Sequence, residues 1–450
     1  MYKLSLSGQK EESMGKTEPR TLPGFMELLP NEQILFDQMK QKIENSYKTF
    51  GFLPIDTPII ESSEVLLAKA GGETEKQIYR FTKGDTDLSL RFDLTVPLAK
   101  YVAKNYGNLS FPFRRYQIGK VYRGERAQKG RYREFYQCDV DIIGDGELDI
   151  INDAELPAVI YSTIKKLGFE NFTIKINNRK ILNGLYESIG QKENSVAIMR
   201  IIDKLDKIGE EAVKEELLKI DIPTNTINTI IEFIKIEGTI DEKIEKLKNL
   251  KIENEIFLKG VEELEEVVKN IRLFGVPENN FTVDLTIARG LDYYTGTVYE
   301  TFLNEYRELG SICSGGRYEN LAENYTDKKL PGVGISIGLT RLFFKLNELN
   351  LIKADKKSIS NIIIIPMTEN KTMPLKLAME LRNLGINTEI YLSDKKLKAK
   401  MKYADKLEIP YVTVIGDDEI ERKKIKLKNM KTGEETEIDF NAEKIAELII

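Results

Sequence analysis

The feature that most limits what this chain can fold into is a pair of strand-like runs flanking one basic loop. RYQIGKVYRGE (Arg115 to Glu125) and REFYQCDVDIIG (Arg133 to Gly144) both have strand character, and RAQKGRY (Arg126 to Tyr132) lies between them. Two such runs in succession make an antiparallel hairpin. A hairpin with only a structural role closes with a shorter turn. Here Arg123, Glu125, Arg126, Lys129, Arg131 and Arg133 crowd around the connection. Guanidinium groups at that density suit polyphosphate or the end of a nucleic acid.

The chain supplies further elements around the hairpin. Asn31 is the expected N-cap of a helix from about Glu32 to Phe50, with Leu35, Met39 and Ile43 on one face and Gly51 at its end. FLPIDTPIIE (Phe52 to Glu61) is extended, and its prolines suit an edge strand. Ile78 to Phe81 and Leu88 to Phe92 read as strands. Asp93 and Thr95 are expected to share a face at the second strand's end, before a helix near Pro97. FTVDLTIA (Phe281 to Ala288) runs as a strand into RGLDYYTGTVYE (Arg289 to Glu300). An arginine leaving an apolar strand is costly to bury without an anion. SICSGGRYENL then brings Gly315, Gly316 and Arg317. LPGVGISIGLTRLFFKL (Leu330 to Leu346) reads as a Gly-rich strand and a helix from near Thr340, with Arg341 at its start. Gly332, Gly334, Ser336 and Gly338 are expected to let a ligand approach that strand closely.

Other segments differ in composition. From about Arg179 to Phe274 the chain is a run of long amphipathic helices, a helical insertion of residues 179–274. A lysine-rich linker follows Leu351. Strands and helices then alternate, which implies a small parallel-sheet α/β domain over residues 360–450. No GxGxxG follows its first strand, so dinucleotide binding is not supported. Lys395, Lys396, Lys398, Lys400, Lys402 and Lys406 give its second helix a cationic face. Residues 1–20 read as a flexible tail. The tail's GQKEESMGKT is not a P-loop, which needs four residues between its glycines where this has six.

Composition removes several chemistries. There is no histidine, so imidazole-based acid–base catalysis, Ser/His or Cys/His triads and imidazole metal sites are excluded. Cys138 and Cys313 are the two cysteines, too few for a disulfide framework or a Zn site, and a reducing cytosol is the natural setting. The net charge of −5 means that any nucleic-acid contact uses local patches. No apolar run spans a bilayer and the polar N-terminus is no signal peptide.

The stretch RGLDYYTGTVYE together with SGGRYENL resembles the paired signatures of histidyl-tRNA synthetases, and the likeness extends over most of the chain. FLPIDTPIIE, the Arg115 to Gly144 hairpin and LPGVGISIGLTRL resemble the three general motifs of class II synthetases. The resemblance implies an α+β fold: an antiparallel sheet core flanked by helices (21–178 and 275–350), the helical insertion, and a C-terminal anticodon-binding α/β domain. It implies activation of histidine with ATP to histidyl-adenylate, then transfer to the 3′ end of histidine tRNA. ATP with Mg²⁺ enters as substrate, and no zinc is expected. A homodimer and a cytoplasmic location are expected, with no membrane partner.

The same resemblance assigns roles. Arg123 binds the α-phosphate, Glu125 and Arg133 hold the adenine and phosphate region, and Arg341 binds the γ-phosphate end. Arg289 bridges the substrate carboxylate and the α-phosphate. Asp93, Thr95 and Gln137 receive the ammonium group, while Asp141 and Tyr294 hydrogen-bond the imidazole. Gln128 approaches the extra 5′ guanosine of histidine tRNA. Some family members carry longer glutamates where this chain has Asp93 and Asp141. The main alternative is a non-catalytic paralogue that regulates histidine biosynthesis, which typically loses the catalytic arginines and the C-terminal domain. A synthetase for threonine, proline or glycine, or a plain RNA-binding protein, fits the two signatures less well.

Overall fold

The computed structural model describes residues 17–68, 73–125, 132–287, 294–319 and 322–449. Its centre is an eight-stranded sheet. Across the sheet the strands run Leu53–Pro54, Phe113–Tyr122, Glu134–Ile143, Gly332–Gly338, Cys313–Tyr318, Thr297–Leu303, Phe172–Asn178 and Phe281–Val283. All internal pairings are antiparallel, and the two outermost strands pair parallel to their neighbours. Alternation decides which residues face which way. On Glu134–Ile143, Cys138, Val140 and Ile142 join a large apolar cluster with Phe36, Met39, Ile43 and Tyr47 of the helix Pro30–Thr49. Leu156, Val159, Ile160 and Ile164 of the helix Ile151–Leu167 join the same cluster. Burying each such side chain stabilises the fold by about 1.5–3 kcal/mol. Tyr47 Oη donates to Cys138 O at 3.0 Å and satisfies the phenol within that layer.

The helices between Arg179 and Leu273 add their apolar faces to this cluster. Ile181, Leu185, Ile202, Leu264 and Ile271 are all in it. The C-terminal sheet has its own core of Ile362, Ile364, Leu377, Leu381, Ile415 and Leu427. Its strands run Thr388–Ile390, Ile362–Pro366, Tyr411–Ile415, Lys424–Asn429 and Glu435–Asp439. The first three are parallel, as the alternation predicts. The last two extend the sheet antiparallel, where only a charged terminal section is expected. Among the described residues no helix is long and apolar enough to cross a membrane.

Several local expectations need correction. The first helix is capped at Leu29, not Asn31: the Leu29 N–H donates to Glu32 Oε2 at 3.1 Å. Asn31 instead donates from Nδ2 to Ala354 O. Residues 52–61 are not one strand. Leu53–Pro54 edges the large sheet, and Ile60–Ser62 pairs with Thr86–Leu90 in a three-stranded sheet. The prolines lack the N–H that a continuous ladder needs. Thr95 opens the helix Thr95–Asn105 rather than ending a strand, so it and Asp93 do not share a strand face.

Candidate active site

Sheet register builds the site. Across Phe113–Tyr122, Glu134–Ile143 and Gly332–Gly338 the rows are Gly119, Gln137 and Gly338; Gln117, Asp139 and Ser336; Arg115, Asp141 and Gly334. Gln137, Asp139 and Asp141 are two residues apart, so all three leave the strand on the face opposite Cys138 and Val140. They line a cavity of about 820 Å³, within the range of small-ligand sites. Phe135, six residues before Asp141, lines it as well. At about 3.3 Å per residue the lining on this strand spans about 20 Å.

The two ends of the cavity differ in charge. Toward Phe135 stand Arg123, Glu125, Arg341 and Lys345. Arg123 has its guanidinium 5.1 Å from the Phe135 ring centroid, and its Nε donates to Phe92 O at 3.0 Å. Arg341, in the first turn of the helix Leu339–Glu348, donates from Nη2 to Leu309 O at 2.7 Å. Thr340 Oγ1 accepts from the Tyr136 N–H at 2.9 Å, which ties this helix to the strand.

Toward Asp141 the wall is acidic. Asp141 Oδ1 accepts from Tyr318 Oη at 3.0 Å, and Oδ2 lies 2.5 Å from Nη2 of Arg115. Burial still dominates and raises the Asp141 carboxyl from 3.8 to about 7. Asp93 is likewise raised by burial to about 6, although its Oδ1 accepts from the Val96 N–H at 3.1 Å. Asp139 is raised by the same cause, against the pull of Arg115 and a hydrogen bond with Ser336.

Of the sequence-predicted residues, Asp93, Thr95, Arg123, Glu125, Gln137, Asp141, Tyr294 and Arg341 all line this one cavity. Arg133 is not among its lining residues. Its Nε donates to Glu125 O at 3.0 Å, and its backbone N–H donates to Gly24 O at 2.8 Å. Gln128 and Arg289 lie outside the described residues.

The sequence reading assigns no site role to Arg115, Asp139 or Tyr318, and it expects Ser336 only as a small residue on the Gly-rich strand. Asp139 had a signal, since it sits midway between Gln137 and Asp141 on one strand. Gly334, Ser336 and Gly338 of the Gly-rich strand line the cavity, and its glycines also make room for neighbouring side chains. A Cβ on Gly334 would collide with Asp141 Oδ1, one on Gly332 with the Tyr318 ring, and one on Gly316 with Tyr294. These glycines make room for the site's own side chains. Gly338 alone of the strand's glycines meets nothing within 4 Å of an added Cβ. Arg317 turns away from the cavity: it forms a buried ion pair with Asp153, Nη2 to Oδ1 at 2.8 Å. Among the described residues no group of three or more His, Cys, Asp or Glu is placed to hold a metal.

Residues 24–342 match the sequence profile of the family described as histidyl-tRNA synthetase, and residues 361–448 match that of an anticodon binding domain. The chain is 59% identical over 417 residues to the histidine–tRNA ligase of Clostridium tetani, covering 92% of this chain and 95% of that protein. It is 53% identical over 424 residues to that of Finegoldia magna, covering 94% and 98%. Among solved structures it is similar to histidyl-tRNA synthetase from Nostoc sp. PCC 7120. That match has a TM-score of 0.87 at 40% identity and covers 96% of this chain and 100% of that one.

Proposed function

This chain belongs to the histidyl-tRNA synthetase family, and on that premise we propose how its residues divide the work. The activity is that of a histidine–tRNA ligase. In the first step the histidine carboxylate attacks the α-phosphorus of ATP. An O–P bond forms, the bond to the β-phosphate oxygen breaks, and pyrophosphate leaves. In the second step the terminal ribose hydroxyl of the tRNA attacks the activated carbonyl, and AMP leaves. The first nucleophile is already ionised at neutral pH, so no protein base is needed for it. What remains is to orient two anions and stabilise the charge that develops between them.

The observation that carries the residue assignment is one cavity with a cationic and an acidic end. Arg123 and Arg341 receive the phosphates, and Glu125 borders the nucleotide. Arg289 bridges the histidine carboxylate and the α-phosphate. Mg²⁺ arrives with ATP and offsets phosphate charge. At the other end Asp93, Thr95 and Gln137 hold the ammonium group. Asp141 accepts one imidazole N–H and Tyr294 donates to the other ring nitrogen. Arg133 acts by holding the backbone at Glu125. Gln128 meets the 5′ guanosine of the tRNA, and the C-terminal domain over residues 360–450 meets its anticodon. The reading also includes a cytoplasmic homodimer without resident zinc. Leu53, Ile59 and Ile60, in the segment like class II motif 1, are exposed apolar residues in this chain and support the dimer.

The experiment is aminoacylation of histidine tRNA with radiolabelled histidine. Charging that needs ATP, and that falls sharply in Arg123→Ala, supports the reading. ATP-independent retention of histidine, or no charging at all, contradicts it.

A further inference from the structure

We propose that Asp139 is a further binding residue for the amino-acid substrate, one that accepts a hydrogen bond from its α-ammonium group beside Gln137. The proposal rests on the ligase reading above and refines its amino-acid end.

Three observations converge on Asp139. It lies between Gln137 and Asp141 on the strand Glu134–Ile143, with Ser336 opposite it, and it lines the cavity. It is 3% exposed, and among the described residues its Oδ1 has no hydrogen-bond partner. An unpaired carboxylate oxygen at that depth is costly unless a donor reaches it. Gln137 Oε1 is a second buried acceptor without a partner in the same wall, while Gln137 Nε2 donates to Ser336 Oγ at 3.1 Å. Two adjacent orphan acceptors ask for a ligand with several N–H donors. An ammonium group has three and no acceptor.

The charges in this wall are compatible with such a ligand. Asp93, Asp139 and Asp141 are all buried in this end of the cavity. Arg115, also buried, lies against Asp141, with Nη2 2.5 Å from its Oδ2. Arg91, the other buried arginine near this wall, is engaged by Thr57, Asp56 and the Lys120 carbonyl. Arg115, Arg123 and Arg91 all act on the Asp139 carboxyl, yet burial outweighs them, so this wall still accommodates a cationic ligand group. Burial holds the Asp139 carboxyl above its ordinary range, and a bound cation would draw it back down.

The test is ATP–pyrophosphate exchange on wild type and Asp139→Asn, with histidine and ATP varied separately. Two competitive inhibitors serve as probes: histidinol, which keeps the ammonium group but has no carboxylate, and imidazolepropionate, which keeps the carboxylate but has no ammonium. Loss of one charge-assisted hydrogen bond predicts a rise of about 10- to 100-fold in KM for histidine and in Ki for histidinol. KM for ATP and Ki for imidazolepropionate should stay at wild-type values. Unchanged histidine and histidinol constants in a folded variant overturn the proposal. So does an equal loss for both inhibitors, which would mark Asp139 as a support for the wall. Asp139→Glu keeps the charge and should keep the preference for histidinol, and loss of that preference also overturns the proposal. Wild type without histidine-dependent exchange would refute the ligase reading instead.

Discussion

The guanidinium of Arg115 lies 2.5 Å from Oδ2 of Asp141, and both side chains are buried, with Asp141 in the wall of the cavity. Removing one member of such a pair leaves the other charge buried without compensation. Arg115→Met should therefore lose about 3–5 kcal/mol of stability, read by urea unfolding. Arg115→Met/Asp141→Leu should recover most of that loss while histidine activation stays absent. A single variant as stable as wild type would show that the pair is not held as described.

The acidic wall gives stability a defined pH dependence. Asp141 titrates near 3.8 in the unfolded chain and at about 7 in the folded protein, and Asp93 is raised to about 6. The folded state thus holds these protons more tightly. The stability they contribute is full below about pH 4 and is lost as pH rises through about 6 to 7. Asp141→Asn cannot titrate at this position, so its stability should fall less than that of wild type over the same range. The gap between the two should change by roughly 2–4 kcal/mol. Urea unfolding at a series of pH values reads it, and parallel curves would contradict the assignment.

Gly334 leaves the space that the Asp141 carboxylate occupies. Gly334→Ala must push that carboxylate aside, with about 1–3 kcal/mol of strain. The expected result in pyrophosphate exchange is a KM for histidine raised at least about tenfold, with KM for ATP near wild type. A larger effect on ATP than on histidine would place Asp141 at the wrong end of the cavity.

Arg123 and Arg133 flank the same loop but should behave differently. Arg123 lines the cavity, whereas Arg133 donates to the Glu125 carbonyl. Arg123→Ala should lower kcat by about 10²- to 10³-fold, as loss of one transition-state donor does. Arg133→Ala should raise KM for ATP by less than about tenfold with kcat largely kept. Equal losses in kcat would return Arg133 to the phosphates.

Much of this was legible from short-range pattern. The hairpin strands, the Gly-rich strand with its following helix and the parallel C-terminal strands carry period-two or helical signals that tertiary context does not override. The misreadings have physical causes. Thr95 opens a helix just after Asp93, which accepts from the Val96 N–H, a switch from strand to helix that alternation alone does not reveal. Lys424–Asn429 reads as a charge run, yet Ile425 and Leu427 are its buried face. Gly332 and Gly334 carry no sign in sequence of the side chains that fill their space, because those come from other strands. Arg115 and Asp141 are distant in sequence, and only register makes them neighbours.

The central claim is histidine-specific adenylate formation in this cavity. Its most direct test is ATP–pyrophosphate exchange with each of the protein amino acids in turn, on wild type and Arg289→Ala. Exchange with histidine alone, lost in the variant while circular dichroism shows an intact fold, is the predicted result. Exchange with no amino acid would contradict the account and leave the regulatory paralogue as the better description of this chain.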